Sequence, residues 1–221
     1  MVLSYTEENY IKSIYHLAME SNAEETSTNQ IAEDLGIKPA TVTSMLKKLR
    51  DKNIILYERY GKVKLSARGK SSALLTIRKH RLWEVFLYDK LGFTWDEVHE
   101  IAEQLEHIQS VKLIHKLDAF LGYPKVDPHG DPIPNSKGDY TTVKTISLFD
   151  ANIGTHYLVS SVKDSSSEFL QFLMQLKITL ASKIQVIKRM EFDNSFLILV
   201  DNKKEIMVSE KFSHNLLLNE V

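Results

Sequence analysis

A short stretch, VHEIAEQLEHI at residues 98–108, concentrates side chains that can bind a cation. At 3.6 residues per turn, Glu103, Glu106 and His107 occupy positions i, i+3 and i+4, so they project from one side of a helix. Carboxylates and an imidazole on the same side can chelate one ion. The alternative interpretation is a solvated, charged helix face, which is the usual meaning of such spacing. The rest of the chain has to decide between the two.

The composition restricts the chemistry that such a site could do. The 221 residues include no cysteine, so disulfides, thiolate ligands and cysteine nucleophiles are excluded. Any metal is therefore bound through oxygen and imidazole nitrogen, which suits harder divalent cations. No apolar run approaches the ~20 residues that span a bilayer, and the N-terminus lacks the pattern of a signal peptide. We expect a cytoplasmic protein with no membrane partner.

The net charge of −1 conceals two segments of opposite character. Between Gly36 and Lys70 there are ten Lys or Arg residues and two acids. Between Phe93 and Asp118 there are six acids and two lysines. A basic segment favours a polyanionic partner, and an acidic segment favours a cation.

The first 65 residues predict helices followed by a hairpin. The first helix, in YTEENYIKSIYHLAMES, has Thr6 as a candidate N-cap. A short second helix, in STNQIAEDLGI, can be capped by Ser27 or Thr28 and ends at Gly36. The third, in PATVTSMLKKLRDKNII, starts near Pro39 and carries apolar residues at helical spacing. The alternating run IILYERYGKVKLS then indicates a β-hairpin. This order predicts a winged helix-turn-helix.

Helices and then strands are predicted in the rest of the chain. A long amphipathic helix is expected over 67–91, followed by helices over 94–108 and 110–122. The segment 123–140 holds four of the five prolines, which is typical of a loop or linker. Short β-type runs follow, with one helical stretch, EFLQFLMQL, among them, and their spacing suggests a small barrel. The predicted runs are TTVKTISLF, THYLVSSVK, KIQVIKRME, FLILVD and KEIMVSE. The fold class is therefore α+β.

The order of these parts, together with the motifs RKHRLWEVFL and VHEIAEQLEHI, resembles the diphtheria-toxin-repressor family of metal-dependent transcription regulators, including its manganese-responsive branch. The C-terminal part resembles the SH3-like domain shared with FeoA-type ferrous-iron transport proteins. The resemblance implies a DNA-binding domain over 1–65, a helical metal-binding and dimerisation domain over 66–140 and an SH3-like domain over 141–221. It also implies a homodimer that binds a double-stranded operator.

The third helix has the features of a recognition helix. Short polar residues on its exposed N-terminal face can approach base edges in the major groove, and basic residues further along can contact phosphates. Basic residues of the hairpin would give the wing a positive charge for DNA binding. The predicted DNA-binding residues are Lys38, Pro39, Ala40, Thr41, Thr43, Ser44, Lys47, Lys48, Arg50, Arg59, Lys62 and Lys64.

By resemblance, Glu103, Glu106 and His107 match the family's primary metal site. The ligand that the first helix supplies falls at Asn9, where the family usually has Asp or Met. An amide oxygen can ligate, but it brings no charge. Lys12 falls where the branch with two closely spaced manganese ions has a carboxylate, which argues against that geometry here.

The resemblance also implies an ancillary metal site. His80 and Glu84 lie one turn apart on the long helix and point the same way. Other candidates come from the acidic helix, from the DPHG loop and from the third domain, where either of two acids could complete the site. The predicted ancillary ligands are His80, Glu84, His99, Asp127, His129, Asp164 and Glu168.

These inferences lead to one preferred function and three alternatives. The preferred interpretation is a homodimeric repressor, not an enzyme, that binds Mn²⁺ and controls metal-uptake genes. The first alternative is the same protein tuned to Fe²⁺. The second is a metallohydrolase that uses Glu103 or Glu106 as a base, although no nucleophile or oxyanion device accompanies them. The third is a metal-independent DNA-binding protein.

Overall fold

The structure, a computed structural model, describes residues 2–21, 23–57 and 62–220. The chain divides into two compact units. The N-terminal unit contains the chain up to His80 together with Glu103–Ile114 and Pro134–Asp139. The C-terminal unit contains Arg81–Ala102, His115–Ile133 and the chain from Tyr140 onwards. The predicted division into three domains stays a prediction.

The N-terminal unit begins with the winged helix-turn-helix, as predicted. Its elements are α1 (Tyr5–Glu20), α2 (Thr28–Asp34), α3 (Pro39–Asp51), β1 (Ile55–Tyr57) and β2 (Val63–Leu65). The two strands pair antiparallel, and β2 also pairs with Thr26 in front of α2. Leu46 and Leu49 of α3 are fully buried, so the apolar side of the helix forms the core and its polar side faces outwards.

The predicted cap of α1 was wrong. Ser4, not Thr6, is the N-cap, and its hydroxyl accepts from the backbone N–H of Glu7 while the Glu7 carboxylate accepts from the backbone N–H of Ser4. This reciprocal pair is a capping box. Ser27 caps α2 in the same way with Gln30, as one of the two predicted alternatives.

Three further helices follow the wing: α4 (Ala67–Leu91), α5 (Val98–Leu105) and α6 (Val111–Phe120). The bounds predicted for α4 are confirmed. The helix predicted over 94–108 was too long, because the turn at Thr94–Glu97 is closed separately by the Thr94 backbone N–H donating to the Glu97 carboxylate at 2.8 Å. The helix also ends earlier than predicted, at Leu105, so Glu106 and His107 lie in the turn that follows α5.

The C-terminal unit is completed by one antiparallel sheet whose strand order is β3-β8-β4-β5-β6-β7. Register shifts within β4 and β5 mark β-bulges, which bend and twist a sheet. Tyr157 and Phe196 are the largest fully buried side chains in its core. The elements are β3 (Ile146–Ser147), β4 (His156–Val162), α7 (Ser167–Leu176), β5 (Lys183–Arg189), β6 (Phe196–Val200), β7 (Lys204–Val208), α8 (Glu210–Asn215) and β8 (Leu216–Glu220).

The predicted strands are confirmed in this sheet with two differences. The run TTVKTISLF forms a strand only at Ile146–Ser147 and continues as a short 3-10 helix, Leu148–Asp150. The last strand, β8, was not predicted, and it lies between β3 and β4. Among the described residues, no helix is both long and apolar enough to cross a membrane.

Candidate metal centres and nucleic-acid interface

Acidic, basic and imidazole side chains from α1, α4 and the end of α5 form a cluster inside the N-terminal unit, here called the first cluster. Its acid at the centre, Glu106, has no exposed surface. Since a buried carboxylate is costly unless it is paired, its neighbours decide what the cluster can bind. The first cluster consists of Glu8, Lys12, Lys79, His80, Glu103, Glu106 and His107.

Glu106 is held by contacts with two other helices. The Lys12 Nζ of α1 lies 2.9 Å from each carboxylate oxygen of Glu106 and also pairs with Glu103. The His80 Nδ1 of α4 lies 2.6 Å from Glu106 Oε2 and 4.0 Å from Glu103 Oε1. Burial alone would raise the pKa of Glu106, but the hydrogen bond with His80 and the charge of Lys12 hold it below its usual range. Glu106 is therefore an anion inside the protein.

His107 is oriented by an acid of α1. Its Nδ1 lies 2.6 Å from Glu8 Oε2, and since a carboxylate only accepts, Nδ1 is the donor. The other nitrogen, Nε2, is buried without a hydrogen-bond partner, with Glu106 Oε1 at 3.5 Å. A carboxylate that fixes the imidazole tautomer in this way is the usual support of a metal-binding histidine. The side-chain oxygen of Asn9 is likewise buried without a partner. These donors fit a divalent cation.

Glu8 was not among the predicted site residues. Its carboxylate is buried, and it also accepts from Gln109 Nε2 at 2.9 Å and pairs with Lys79 Nζ at 3.3 Å. In the sequence, an acid in the first turn of a helix is ordinary because it complements the helix dipole. The only hint of another role is its position one turn before Lys12, on the same side of α1.

A second cluster lies in the C-terminal unit, where α4 meets the DPHG loop. Glu84, Asp127 and His129 are buried, and each offers one ligand atom within 4.8 Å of the others. Glu84 Oε1 lies 3.6 Å from His129 Nδ1 and 3.3 Å from His99 Nδ1. The two carboxylates offer oxygens and the imidazoles offer nitrogens, and this donor set again fits a divalent cation. The second cluster is defined by Glu84, His99, Asp127 and His129.

The loop that carries two of these candidate ligands has a fixed shape. Asp127 Oδ1 accepts from the backbone N–H groups of His129, at 2.8 Å, and Asp131, at 3.0 Å. Gly130 has φ +89°, and a Cβ there would lie 2.0 Å from the Ser160 carbonyl oxygen, so only glycine fits. His129 Nε2 donates to the Trp95 carbonyl oxygen at 3.2 Å. His129 Nδ1 therefore stays on the side of Glu84.

The second cluster has an excess of negative charge. Burial, together with the nearby charges of Glu84 and Asp131, raises the pKa of Asp127 to about 8. Arg81 opposes the rise, with Nε 3.4 Å from Asp127 Oδ2. The pKa of His129 is also raised: burial would lower it, but the hydrogen bond and charge of Glu84 outweigh burial. A cation bound here would relieve the repulsion between the carboxylates.

Other predicted ancillary ligands lie elsewhere. His80 contacts Glu106 of the first cluster, one helical turn before Glu84. Asp164 accepts from the backbone N–H of Ser166 in the turn before α7, and Glu168 is exposed in the first turn of α7. Neither is among the described residues whose ligand atoms converge with Glu84, Asp127 and His129. Their role as ligands stays a prediction.

The exposed side of α3 matches the composition predicted for a recognition helix. Thr43 is half-buried, and its hydroxyl donates to the Pro39 carbonyl oxygen at 3.0 Å. On the wing, Lys62 pairs with Glu25 at 3.3 Å and Lys64 pairs with Glu24. Arg59 lies outside the described residues. The remaining predicted residues are all exposed: Lys38, Pro39, Ala40, Thr41, Ser44, Lys47, Lys48 and Arg50.

Comparison with known proteins finds a separate family match for each of three successive segments of the chain. Residues 2–63 match the family described as iron dependent repressor, N-terminal DNA binding domain. Residues 66–135 match iron dependent repressor, metal binding and dimerisation domain. Residues 146–219 match the FeoA domain.

Individual relatives extend the comparison. The chain is 32% identical over 129 residues to the iron-dependent repressor IdeR of Mycobacterium leprae, covering 58% of this chain and 55% of that protein. It is 33% identical over 129 residues to the diphtheria toxin repressor of Corynebacterium jeikeium, covering 58% and 53%. The chain therefore spans about half the length of these curated relatives.

A solved structure is similar over nearly the whole chain. It is described as a manganese-dependent transcriptional repressor in complex with manganese, and it is 31% identical with a TM-score of 0.87, covering 97% of this chain and all of that one (100%). The chain thus belongs to the diphtheria-toxin-repressor family of metal-dependent transcriptional regulators.

The excess negative charge of the second cluster leads to a prediction about Asp127→Asn. With a folded-state pKa of about 8 against an ordinary value of 3.8, Asp127 makes the metal-free protein lose stability as pH rises between these values. The variant keeps the oxygen that accepts from the loop backbone but not the charge. We expect its metal-free form to gain on the order of 1–3 kcal/mol in free energy of unfolding at pH 8, and less at pH 5. The measurement is denaturant unfolding at both pH values.

The matched control is Asp131→Asn. Asp131 belongs to the same loop and pairs with Arg81, but its side chain is 48% exposed, so we expect little change. The interpretation would be contradicted if Asp127→Asn were no more stable than the parent at pH 8, or if Mn²⁺ stabilised both proteins equally.

Proposed function

We propose that the protein is a metal-activated, DNA-binding transcriptional repressor that controls genes for metal-ion uptake. The observation that carries this proposal is the first cluster, in which His107 keeps a buried, unpartnered Nε2 beside the Glu106 carboxylate. Family membership supplies the DNA-binding half of the proposal. The cluster supplies the half that senses the metal.

Manganese is the metal that we propose, with ferrous iron as the alternative. The candidate ligands in both clusters are carboxylate oxygens, imidazole nitrogens and one amide oxygen, and the chain has no cysteine. This donor set suits Mn²⁺ and Fe²⁺ by type, although raw affinity increases toward later metals. Among the relatives, one is described as manganese-dependent and another as iron-dependent.

The coupling from the cluster to DNA would run through α1. This helix carries Glu8, Asn9 and Lys12 on the cluster side, and it packs against α2 and β2 of the winged helix. A divalent ion would supply two positive charges where α1 meets the turn after α5, and so fix the position of α1. The shift toward the DNA-binding arrangement can be no larger than the difference in metal affinity between the two arrangements.

A homodimer is part of the proposal. The matched metal-binding domain is also a dimerisation domain. In the C-terminal unit, Phe120 at the end of α6 is 65% exposed and its ring lies 6.3 Å from that of Phe86. Exposed aromatic surface of this kind is typical of a covered interface. Two winged helices related by a twofold axis would match a palindromic operator.

The metal response is tested by His107→Ala. Because His107 Nε2 has no hydrogen-bond partner, it can bind a metal ion, and the fold does not depend on it. We therefore expect the variant to stay folded. It should lose most of its Mn²⁺ affinity and most of the DNA affinity that Mn²⁺ adds. Calorimetric titration with MnCl₂ gives the first quantity. Fluorescence anisotropy, with a duplex selected from random sequence by the parent protein in Mn²⁺, gives the second. His115→Ala, an exposed histidine on α6, is the control and should behave like the parent. A parent protein that binds no Mn²⁺, Fe²⁺ or Zn²⁺ would disprove the proposed function.

The DNA-binding surface is tested by Lys47→Ala and Lys48→Ala. Since phosphate contacts release counterions, each loss should weaken binding to all sequences by a similar factor and reduce the slope of log K against log salt by about one. Lys203→Ala removes an exposed lysine from the turn between β6 and β7 and should leave both the affinity and the salt slope unchanged. Unaltered affinity and salt slope in both α3 variants would mean that the surface is misplaced.

The dimer is tested by Phe120→Glu. A charge in an apolar interface is costly, so we expect a monomer in sedimentation velocity and a DNA affinity reduced by at least about tenfold. Phe192→Glu is the matched control, because Phe192 is fully exposed, at 100%, in the turn between β5 and β6. If Phe120→Glu sediments as the parent does, this surface is not the interface.

A further inference from the structure

Lys12 has an unusual position for a basic residue in a metal-binding cluster. Its side chain is only 15% exposed, and its ammonium group sits against the carboxylates of Glu103 and Glu106. Both Glu106 oxygens lie 2.9 Å from Nζ. These are the two acids that the sequence predicts as ligands of the primary metal site.

We propose that Lys12 is a built-in counter-cation of the metal site, which neutralises Glu103 and Glu106 in the metal-free protein and must be displaced when a divalent ion binds. The inference rests on the proposed function, since it concerns the same ligands. It assigns to Lys12 the role of setting the metal affinity.

The first support is geometric. Nζ contacts both oxygens of Glu106 and also one oxygen of Glu103, so it occupies the position between the two acids from which one ion would contact both carboxylates. Lys12 lies on α1, and its side chain is partly exposed, so it can move away from the carboxylates. The flexible four-carbon stem of lysine permits this.

The second support is charge. The first cluster contains three carboxylates, from Glu8, Glu103 and Glu106, and two ammonium groups, from Lys12 and Lys79. With neutral imidazoles, these groups sum to one net negative charge. Without Lys12, the groups sum to two net negative charges, which equals the charge of a divalent ion in magnitude. A divalent ion bound beside Lys12 would meet an uncompensated like charge.

The third support is the contrast with Lys79. Lys79 is buried and Lys12 is half-buried, and both are paired within the first cluster. Lys79, however, contacts Glu8, with Nζ 3.3 Å from Oε1, and Glu8 faces the Nδ1 side of His107, not the side that would bind metal. Lys79 is thus a buried counter-charge that does not occupy ligand atoms, which makes it a control for Lys12.

The test is Lys12→Met, which keeps most of the side-chain volume and removes the charge. In a buffer with chelator, we expect its Tm to fall by at least about 4 °C, since Glu106 loses its ammonium partner. In calorimetric titration with MnCl₂, we expect its dissociation constant to decrease by about tenfold or more. Lys12→Gln keeps a hydrogen-bond donor without the charge, and its Tm and dissociation constant should change in the same direction. It replaces Lys12→Met as the test variant if Lys12→Met does not fold.

Lys79→Met is the matched control, and it should lower the Tm without tightening Mn²⁺ binding. Equal tightening in both variants would show a general charge effect and overturn the role assigned to Lys12. A Mn²⁺ affinity in Lys12→Met that is equal to or weaker than that of the parent would overturn it as well. In either case Mn²⁺ binding by the parent would leave the proposed function standing.

A measurement on the unaltered protein gives an independent test. Acetylation of lysines by an N-hydroxysuccinimide ester, followed by peptide mass spectrometry, reports the reactivity of each amine. Saturation with MnCl₂ should raise the labelling rate of Lys12 by about tenfold, because its amine leaves the carboxylates, while Lys79 should be unchanged. Protection of Lys12 that is identical with and without Mn²⁺ would disprove the displacement.

Discussion

A carboxylate without any exposed surface dominates the N-terminal unit. Glu106 stays ionised inside the protein because His80 and Lys12 contact it. A buried carboxylate needs a positively charged or hydrogen-bonding partner. The partners of Glu106 lie on helices that are far from it in the sequence. The position of α1 therefore depends on how the charge of Glu106 is balanced. Under the proposed function, this dependence would couple a helix of the winged domain to metal binding.

The two clusters satisfy the same requirement differently. In the first cluster, ammonium groups balance the acids, so the metal-free protein is already paired. In the second, Arg81 balances Asp127 only partly, and the pKa of Asp127 rises to about 8. A metal ion would replace an existing partner in the first cluster and relieve repulsion in the second. Their affinities and their effects on stability should therefore differ, although the donor atoms are of the same types.

The sequence was sufficient for the elements whose determinants are local. The long helix α4 was predicted with its observed bounds, and the motif of three helices and a hairpin was recognised from apolar spacing and turn residues. The cap of α1 was mistaken even though Ser4 and Glu7 have the spacing of a capping box. The start of α5 was mistaken because the turn at Thr94–Glu97 interrupts an otherwise helical pattern.

The types of residue in the site could be predicted from the sequence, but the contacts between them could not. The spacing of Glu103, Glu106 and His107 indicated a metal site, but the contact of Lys12 with Glu106 joins residues 94 positions apart. Glu8 was missed because an acid in a first helical turn has an ordinary explanation. The separation of His80 from Glu84 into different clusters depends on what each side of α4 meets, which no local pattern encodes.

We propose that the two buried charge clusters hold divalent cations. The most direct measurement is the anomalous scattering of crystals grown with MnCl₂, recorded on both sides of the manganese absorption edge. We expect one ordered peak in contact with Glu106 Oε and His107 Nε2, and a second among Glu84, Asp127 and His129. The absence of a peak from both clusters, with the Lys12–Glu106 pair intact at saturating Mn²⁺, would contradict the account.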